Sequence, residues 1–189
     1  MSIEKLQENY PVKINWVHFP LHPETPAEGK SLEELFAGRD ITPMRERMKA
    51  LMQEAGLPYG DRTHTYNSRL AQELGKWADT QEGGDAIHDK LYRAYFLDNK
   101  NIGDIDELVT IAESIGLDGE SARRVLENRE FKNQVDEDWQ RSRASGVTGV
   151  PTFYCDDLVV VGCQPYETLE KFVLHLMLQR QENGNGKAN

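Results

Sequence analysis

Two cysteines, five histidines and a proline ahead of an apolar run are the residues of this 189-residue chain whose types and spacing bear on chemistry. Cys163 lies in "VGCQPYETLEKF", just before a helix start at Pro165. Free N–H groups and the helix dipole favour a thiolate there, so Cys163 is the candidate reactive thiol. Cys155 ends "TFYC" and reads as a small buried hydrophobe. A disulfide between them is not expected. A turn at Asp156-Asp157 sets Cys155 opposite Leu158, which leaves Cys163 about 16 Å further along at strand rise. A disulfide needs Cα atoms within about 7 Å. His18 and His22 are four apart, but Pro20 between them forbids a helix, and no third ligand stands nearby, so no metal is expected. His64, His88 and His175 are isolated and read as surface or packing residues. Tyr92 and Phe96, at i and i+4, read as core. No Ser/His/Asp arrangement is legible. "GVTGV" precedes a strand rather than a helix, which argues against a phosphate loop.

Pro151 in "ASGVTGVPTFYC" is the other feature that asks for a reason. Proline donates nothing to a sheet ladder and belongs at a strand's first position or on an edge. Local sequence leaves a cis and a trans peptide equally open.

Positioning these residues falls to a particular order of elements. "MSIEKLQENY" has helical apolar spacing and ends at Pro11. Val12–Phe19 alternates and reads as a strand. The proline-rich loop "PLHPETPAEG" follows. A helical region then runs through "TPMRERMKALMQEAG", with Thr42 as N-cap, Pro43 in the first turn and Gly56 past the end. It continues through "NSRLAQELGKWADTQ", "DAIHDKLYRAYFLDN", "DIDELVTIAESIG", "DGESARRVLEN" and "EFKNQVDEDWQRSRASG". Asp104 and Glu107 have the spacing of a capping box. Two strands, "TFYC" and "LVVVG", then form a hairpin, and a last helix follows Gln164-Pro165.

Composition narrows the function classes. Hydrophobic residues make up 38% and charged residues 29%, an ordinary globular balance. The formal net charge is −10, and no basic stripe is present, which argues against nucleic-acid binding. No apolar run approaches the roughly 20 residues a membrane helix needs. No signal-peptide pattern opens the chain, and two cysteines make no disulfide framework, so a reducing, cytoplasmic setting is expected. Residues 182–189 are polar and Gly/Asn-rich and are expected to form a disordered tail.

Taken together, "GVTGVPTF", the hairpin and "GCQPYETLEKF" resemble the end of a DsbA-family thioredoxin-fold domain. "RAYFLDNKNIGDIDELVTIAESIGLD" resembles the helical insertion of the cytoplasmic FrnE-like branch, and "VKINWVHFPLHPE" the second strand and the loop after it. The resemblance implies an α/β, thioredoxin-like (DsbA-like) sheet carrying a large helical insertion. One domain would span residues 1–181, with thioredoxin parts at 1–30 and 147–181 and the insertion at 31–146. It implies a cis Pro151 and a Val150 whose main chain pairs with an extended peptide, so Val150 and Pro151 are the expected substrate-binding residues.

The family's chemistry needs a C-x-x-C at the start of its first helix, and no C-x-x-C occurs in this sequence. The strand that should precede that helix is absent as well. The expectation is a gene product that begins upstream, with Met1 an internal methionine. A trimmed chain, or a gap filled by an inward shift of Val12–Phe19, a partner strand or a swapped dimer, are the alternatives. The expected function is therefore a DsbA-like thiol–disulfide oxidoreductase family protein, inactive in the form given. Its partners would be extended peptide or protein thiol/disulfide substrates, with no cofactor, nucleic acid or membrane, and with homodimerisation possible. The alternatives are a non-catalytic peptide- or partner-binding module, and an enzyme of the kappa-class glutathione transferase or 2-hydroxychromene-2-carboxylate isomerase kind, which would bind glutathione.

Overall fold

The computed structural model describes the backbone of residues 2–185 and the side-chain surroundings of residues 3–180. In chain order the elements are α1 (Ser2–Asn9), β1 (Lys30–Ser31), α2 (Leu32–Leu35), α3 (Thr42–Glu54), β2 (His64–Thr65), α4 (Arg69–Ala78) and α5 (Ile87–Phe96). They continue with α6 (Ile105–Glu113), α7 (Gly119–Glu127), α8 (Lys132–Ala144), β3 (Thr152–Cys155), β4 (Leu158–Val161) and α9 (Tyr166–Asn185). The chain divides into two compact units, Pro20–Trp139 and Met1–Phe19 with Gln140–Asn189.

The Pro20–Trp139 unit is helical because its apolar residues recur at helical spacing and its helix ends are capped by short polar side chains. Asp104 Oδ1 accepts from the N–H groups of Asp106 and Glu107 at 2.8 and 3.3 Å. Asp118 Oδ1 accepts from Ser121 N–H at 2.8 Å, and the Ser121 hydroxyl together with that N–H holds its carboxyl below the ordinary carboxylate value. The reciprocal half of the box expected at Asp104 does not form: the Glu107 carboxylate accepts from Lys100 Nζ instead, at 3.0 Å. A complete box stands at Ser31, whose Oγ accepts from Glu34 N–H at 3.1 Å while Glu34 Oε2 accepts from Ser31 N–H at 3.2 Å. Helix α3 begins at Thr42 as its first residue, with Ile41 at the cap position, so the expected Thr42 cap is corrected. The side chain that meets this end is Asp40, whose Oδ1 accepts from Thr42 N–H at 2.9 Å.

The core of this unit collects Leu74 and Trp77 of α4, Ile87 of α5, Leu108 and Ala112 of α6, and Val125 and Leu126 of α7, all buried. Each large aliphatic side chain so removed from water contributes about 1.5–3 kcal/mol. Gly84 lets the chain turn against the end of α4, where a Cβ would fall on the Ala78 carbonyl. The loop from Pro20 to Gly29 belongs with these helices rather than with the terminal unit. Asn67 Nδ2 donates to the Thr25 carbonyl at 2.6 Å, Asn101 Nδ2 to that of Ala27 at 3.1 Å, and β1 pairs with β2.

The second unit packs α1 against α9 through buried Leu6, Leu169 and Val173, with Phe153 and Val160 of the hairpin against them. Tyr10 and Tyr166 both donate to Glu170 Oε1, at 2.9 and 2.8 Å. Those two bonds hold the Glu170 carboxyl below its ordinary value, and the hydrogen bond to Glu170 raises the Tyr10 hydroxyl above its own. Helix α9 runs to Asn185, into the stretch expected to be disordered, and residues 186–189 lie outside those described.

The expected strand at Val12–Phe19 is not one. The described sheets are two antiparallel pairs, β1–β2 and β3–β4, and this segment joins neither. Alternate burial persists from Val12 to Asn15 and then fails at the exposed Trp16. Alternation supplies the face of a strand, but a ladder needs a partner strand, and among the described residues no strand pairs with this segment.

Candidate functional site: an open strand mouth and two free thiols

Helix α8, which ends at Ala144, is closed off by Gly146, whose φ of 68° is the left-handed conformation that terminates a helix. Gly146 N–H donates to the Arg143 carbonyl at 3.0 Å and Val147 N–H to that of Ser142 at 3.0 Å. The chain then runs through Thr148 and Gly149 to Val150 and Pro151. Thr152 Oγ1 donates to the Gly149 carbonyl at 2.7 Å, which pins the turn immediately before β3. The Val150–Pro151 peptide is cis, Pro151 is exposed, and Val150 stands 53% exposed, high for so apolar a residue.

The hairpin register fixes which main-chain groups face outward. Thr152 pairs with Val161, Phe153 with Val160, Tyr154 with Val159 and Cys155 with Leu158. Gly162 N–H donates to the Pro151 carbonyl at 2.7 Å. Antiparallel pairs alternate between those that exchange hydrogen bonds and those that do not. Phe153 and Cys155 therefore bond to β4, and the N–H and C=O groups of Thr152 and Tyr154 point away from it. Among the described residues no strand pairs with that edge. Val150 and Pro151 thus stand at the open end of a free strand edge, which can accept an extended chain by strand addition. The Arg141 guanidinium lies 5.4 Å from the centre of the Tyr154 ring, on the same hairpin.

Both thiols are free. Cys155 sits opposite Leu158 as expected, but the reading of it as a buried hydrophobe is corrected: it is half-buried and polar in its contacts. Arg180 Nη2 approaches its sulfur at 3.5 Å and Asp156 Oδ2 accepts from it at 3.8 Å. The cause is the two-residue turn, in which Asp156 takes a φ of 52° and brings its carboxylate beside the thiol. Cys163 is exposed, between Gly162 and Gln164. Its helix starts at Tyr166, with the Pro165 carbonyl accepting from Thr168 and Leu169 N–H, so Gln164 and Pro165 separate the sulfur from the helix end. The dipole weakens within a turn, so less of it reaches Cys163 than the sequence suggested.

The histidines scatter. His88 Nε2 meets Asp79 at 2.7 Å, His22 lies 3.5 Å from Glu24, and His64 stacks on Tyr66 with ring centres 5.8 Å apart. Tyr92 and Phe96 meet at 4.7 Å, as i, i+4 partners should, within a larger aromatic cluster that includes Tyr59 and Tyr95. Sequence reasoning missed Arg62, which stacks over Tyr95 and Phe96 at 4.9 and 5.5 Å. Its only local signal is a basic residue in the loop "YGDRTHTY", close to a strand but far in sequence from the rings it covers.

Helices together with a small β-hairpin that carries an exposed Val-Pro at its mouth make this an α/β protein, of the thioredoxin class. The family model of the DSBA-like thioredoxin domain matches residues 1–173, and the chain belongs to that family. The uncharacterized protein YwbO of Bacillus subtilis (strain 168) is 28% identical over 178 residues, covering 91% of this chain and 86% of that protein. Two solved structures share the fold. The probable DsbA oxidoreductase of Streptomyces coelicolor superposes with a TM-score of 0.83 at 24% identity, over 92% of this chain and 81% of that one. A 2-hydroxychromene-2-carboxylate isomerase superposes with a TM-score of 0.69 at 19% identity, over 99% and 90% of the two chains.

Proposed function

We propose that this chain serves thiol–disulfide exchange as a DsbA-like protein of the FrnE-like branch, and that in the form given it holds polypeptide without turning it over. The observation that carries the first half is the free edge of β3 with exposed Val150 and Pro151 at its mouth. An extended substrate would bond to the outward groups of Thr152 and Tyr154 and cover Val150. The second half rests on the sequence, which has no C-x-x-C. Exchange proceeds by attack of a thiolate on a disulfide sulfur, and a resolving thiol must then release the mixed disulfide. Neither Cys155 nor Cys163 has such a neighbour, so no turnover is expected from them.

The experiment is an insulin-reduction assay on the 189-residue chain, beside a binding assay with a fluorescent extended peptide. Binding with no reduction above background supports the reading. Reduction that disappears in Cys163→Ser overturns it and makes Cys163 the nucleophile. A cytoplasmic setting, a homodimer and the division of residues 1–181 into thioredoxin parts and an insertion belong to the same proposal. The second reading, a glutathione-using enzyme, is suggested by the structural likeness to the isomerase over 99% of the chain. Calorimetric binding of glutathione would promote it.

A further inference from the structure

Helix α3 stands out within its unit because none of its residues is buried. Met44, Met48 and Leu51 are 47%, 43% and 50% exposed. With Ile41 before them they recur at spacings of three, four and three, so at about 100° per residue they form one stripe along the helix. Methionine in such a stripe adapts its shape to what it meets. The same geometry sets the charges. Arg45 and, further round, Lys49 lie on one side of the stripe, Arg47 and the terminal Glu54 on the other, and Glu46 on the far face. None of these three basic residues takes part in an ion pair among the described residues, while Arg69, Arg93, Arg123 and Arg129 each meet a carboxylate. Met52 provides the anchor: its sulfur accepts from Tyr92 Oη at 3.7 Å.

We propose that α3 is a docking helix for an acidic polypeptide segment, one that carries apolar residues flanked by Asp or Glu. The apolar stripe supplies contact area, and the unpaired Arg45, Arg47 and Lys49 supply the charge complement. Two features separate this occupant from the others. The stripe has no Trp or Phe to anchor in a lipid interface. A second copy docking α3 on α3 would bring basic rims together. The inference uses none of the residues at the strand mouth, so either can fail while the other stands.

The test uses the whole chain and two fluorescein-labelled helical peptides with the same Leu stripe, one flanked by Glu and the other by Lys, read by fluorescence anisotropy. The Glu peptide is expected to bind at least about ten-fold tighter, with the preference fading as salt shortens the Debye length. Met48→Ser and the charge reversal Arg45→Glu/Lys49→Glu should each weaken it by about ten-fold or more, with unchanged circular dichroism because α3 buries nothing. Equal binding of the two peptides, or affinity untouched by both variants, overturns the proposal. So does binding to phosphatidylserine vesicles that Met48→Ser abolishes, or a concentration-dependent dimer in ultracentrifugation that the same variant dissociates.

Discussion

Arg129 and Glu73 form a two-pronged ion pair between the end of α7 and the middle of α4, with Nε to Oε2 at 2.8 Å and Nη2 to Oε1 at 2.7 Å. Arg129 reaches it from a left-handed backbone, φ 54°, that turns the chain out of α7. Arg69, one turn before Glu73, donates to Oε1 at 2.6 Å and also meets Asp136 of α8 at 2.7 Å. A single carboxylate, 1% exposed, thus ties α4 to the α7–α8 turn.

That carboxylate predicts an acid-sensitive contribution to stability. Burial pushes the Glu73 carboxyl up, but the hydrogen bonds from Arg129 and Arg69 together more than offset it, and the group lies below its ordinary value. A carboxyl lowered by folding stabilises the native state fully above its unfolded value of about 4.3 and loses that contribution as pH falls through the lowered native value. Glu73→Gln should therefore cost about 3 kcal/mol at neutral pH, since it leaves two guanidinium groups short of their counter-charge. The gap between wild type and variant should close in acid. Urea midpoints measured from neutral pH downward check this; a gap independent of pH would show that the charge contributes nothing.

The same network shows what the sequence could and could not disclose. Glu73 in "LAQELGKWA" reads as one more polar residue of an amphipathic helix, because its partner stands 56 residues away. Local signals fared better: Asp104 caps α6 with its own side chain, and the Asp156-Asp157 turn sets the hairpin register. Pro151 and Cys163 stood out as candidates from local pattern alone, whereas Cys155 read as a buried hydrophobe. What failed depended on a neighbour that local pattern cannot supply. Val12–Phe19 has the alternation of a strand and no ladder, and α3 has the ends of a packed helix but buries none of its residues. Cys155 was misread because its surroundings come from Arg180, a helix away.

Core substitutions should separate buried from exposed aliphatic residues sharply. Leu74 is fully buried among α4, α6 and α7, so Leu74→Ala should cost about 2–5 kcal/mol. Leu178, 59% exposed on α9, should change stability by less than about 0.5 kcal/mol when made Ala. Thermal melts would register the first as a loss of roughly 4–20 °C, at about 2–4 °C per kcal/mol for a chain of this size, and the second as little change. Similar melting points for the two variants would mean that the helical core is not organised as described.

The thiols make a distinct, chemical prediction. Cys163 is exposed, whereas Cys155 is half-buried beneath Arg180. An aromatic disulfide reagent should titrate two thiols in two phases, the faster one absent in Cys163→Ser. Intact mass under oxidising conditions should show no internal loss of two hydrogens, because the two cysteines stay free of each other in the native fold. A fast phase that survives Cys163→Ser would place the accessible sulfur at Cys155 and undo the account of its surroundings.

Strand addition at β3 is the reading with the most specific mutational signature. If an extended peptide pairs with the outward groups of Thr152 and Tyr154, its affinity depends on main-chain geometry at the edge and on apolar contact with Val150. Val150→Glu adds a charge at an exposed position, so the fold should be untouched while binding of an uncharged extended peptide falls by about ten-fold. Thr152→Val deletes the hydroxyl that donates to the Gly149 carbonyl at 2.7 Å, loosening the turn that presents the edge, and should weaken binding by a few-fold with little loss of stability. A peptide whose alternate amides are N-methylated cannot donate to the ladder and should bind far more weakly than its parent, whatever its side chains. Anisotropy titrations of the three pairings check this. If the methylated peptide bound as well as its parent, the contact would be one of side chains alone, and the open edge of β3 would have no part in recognition.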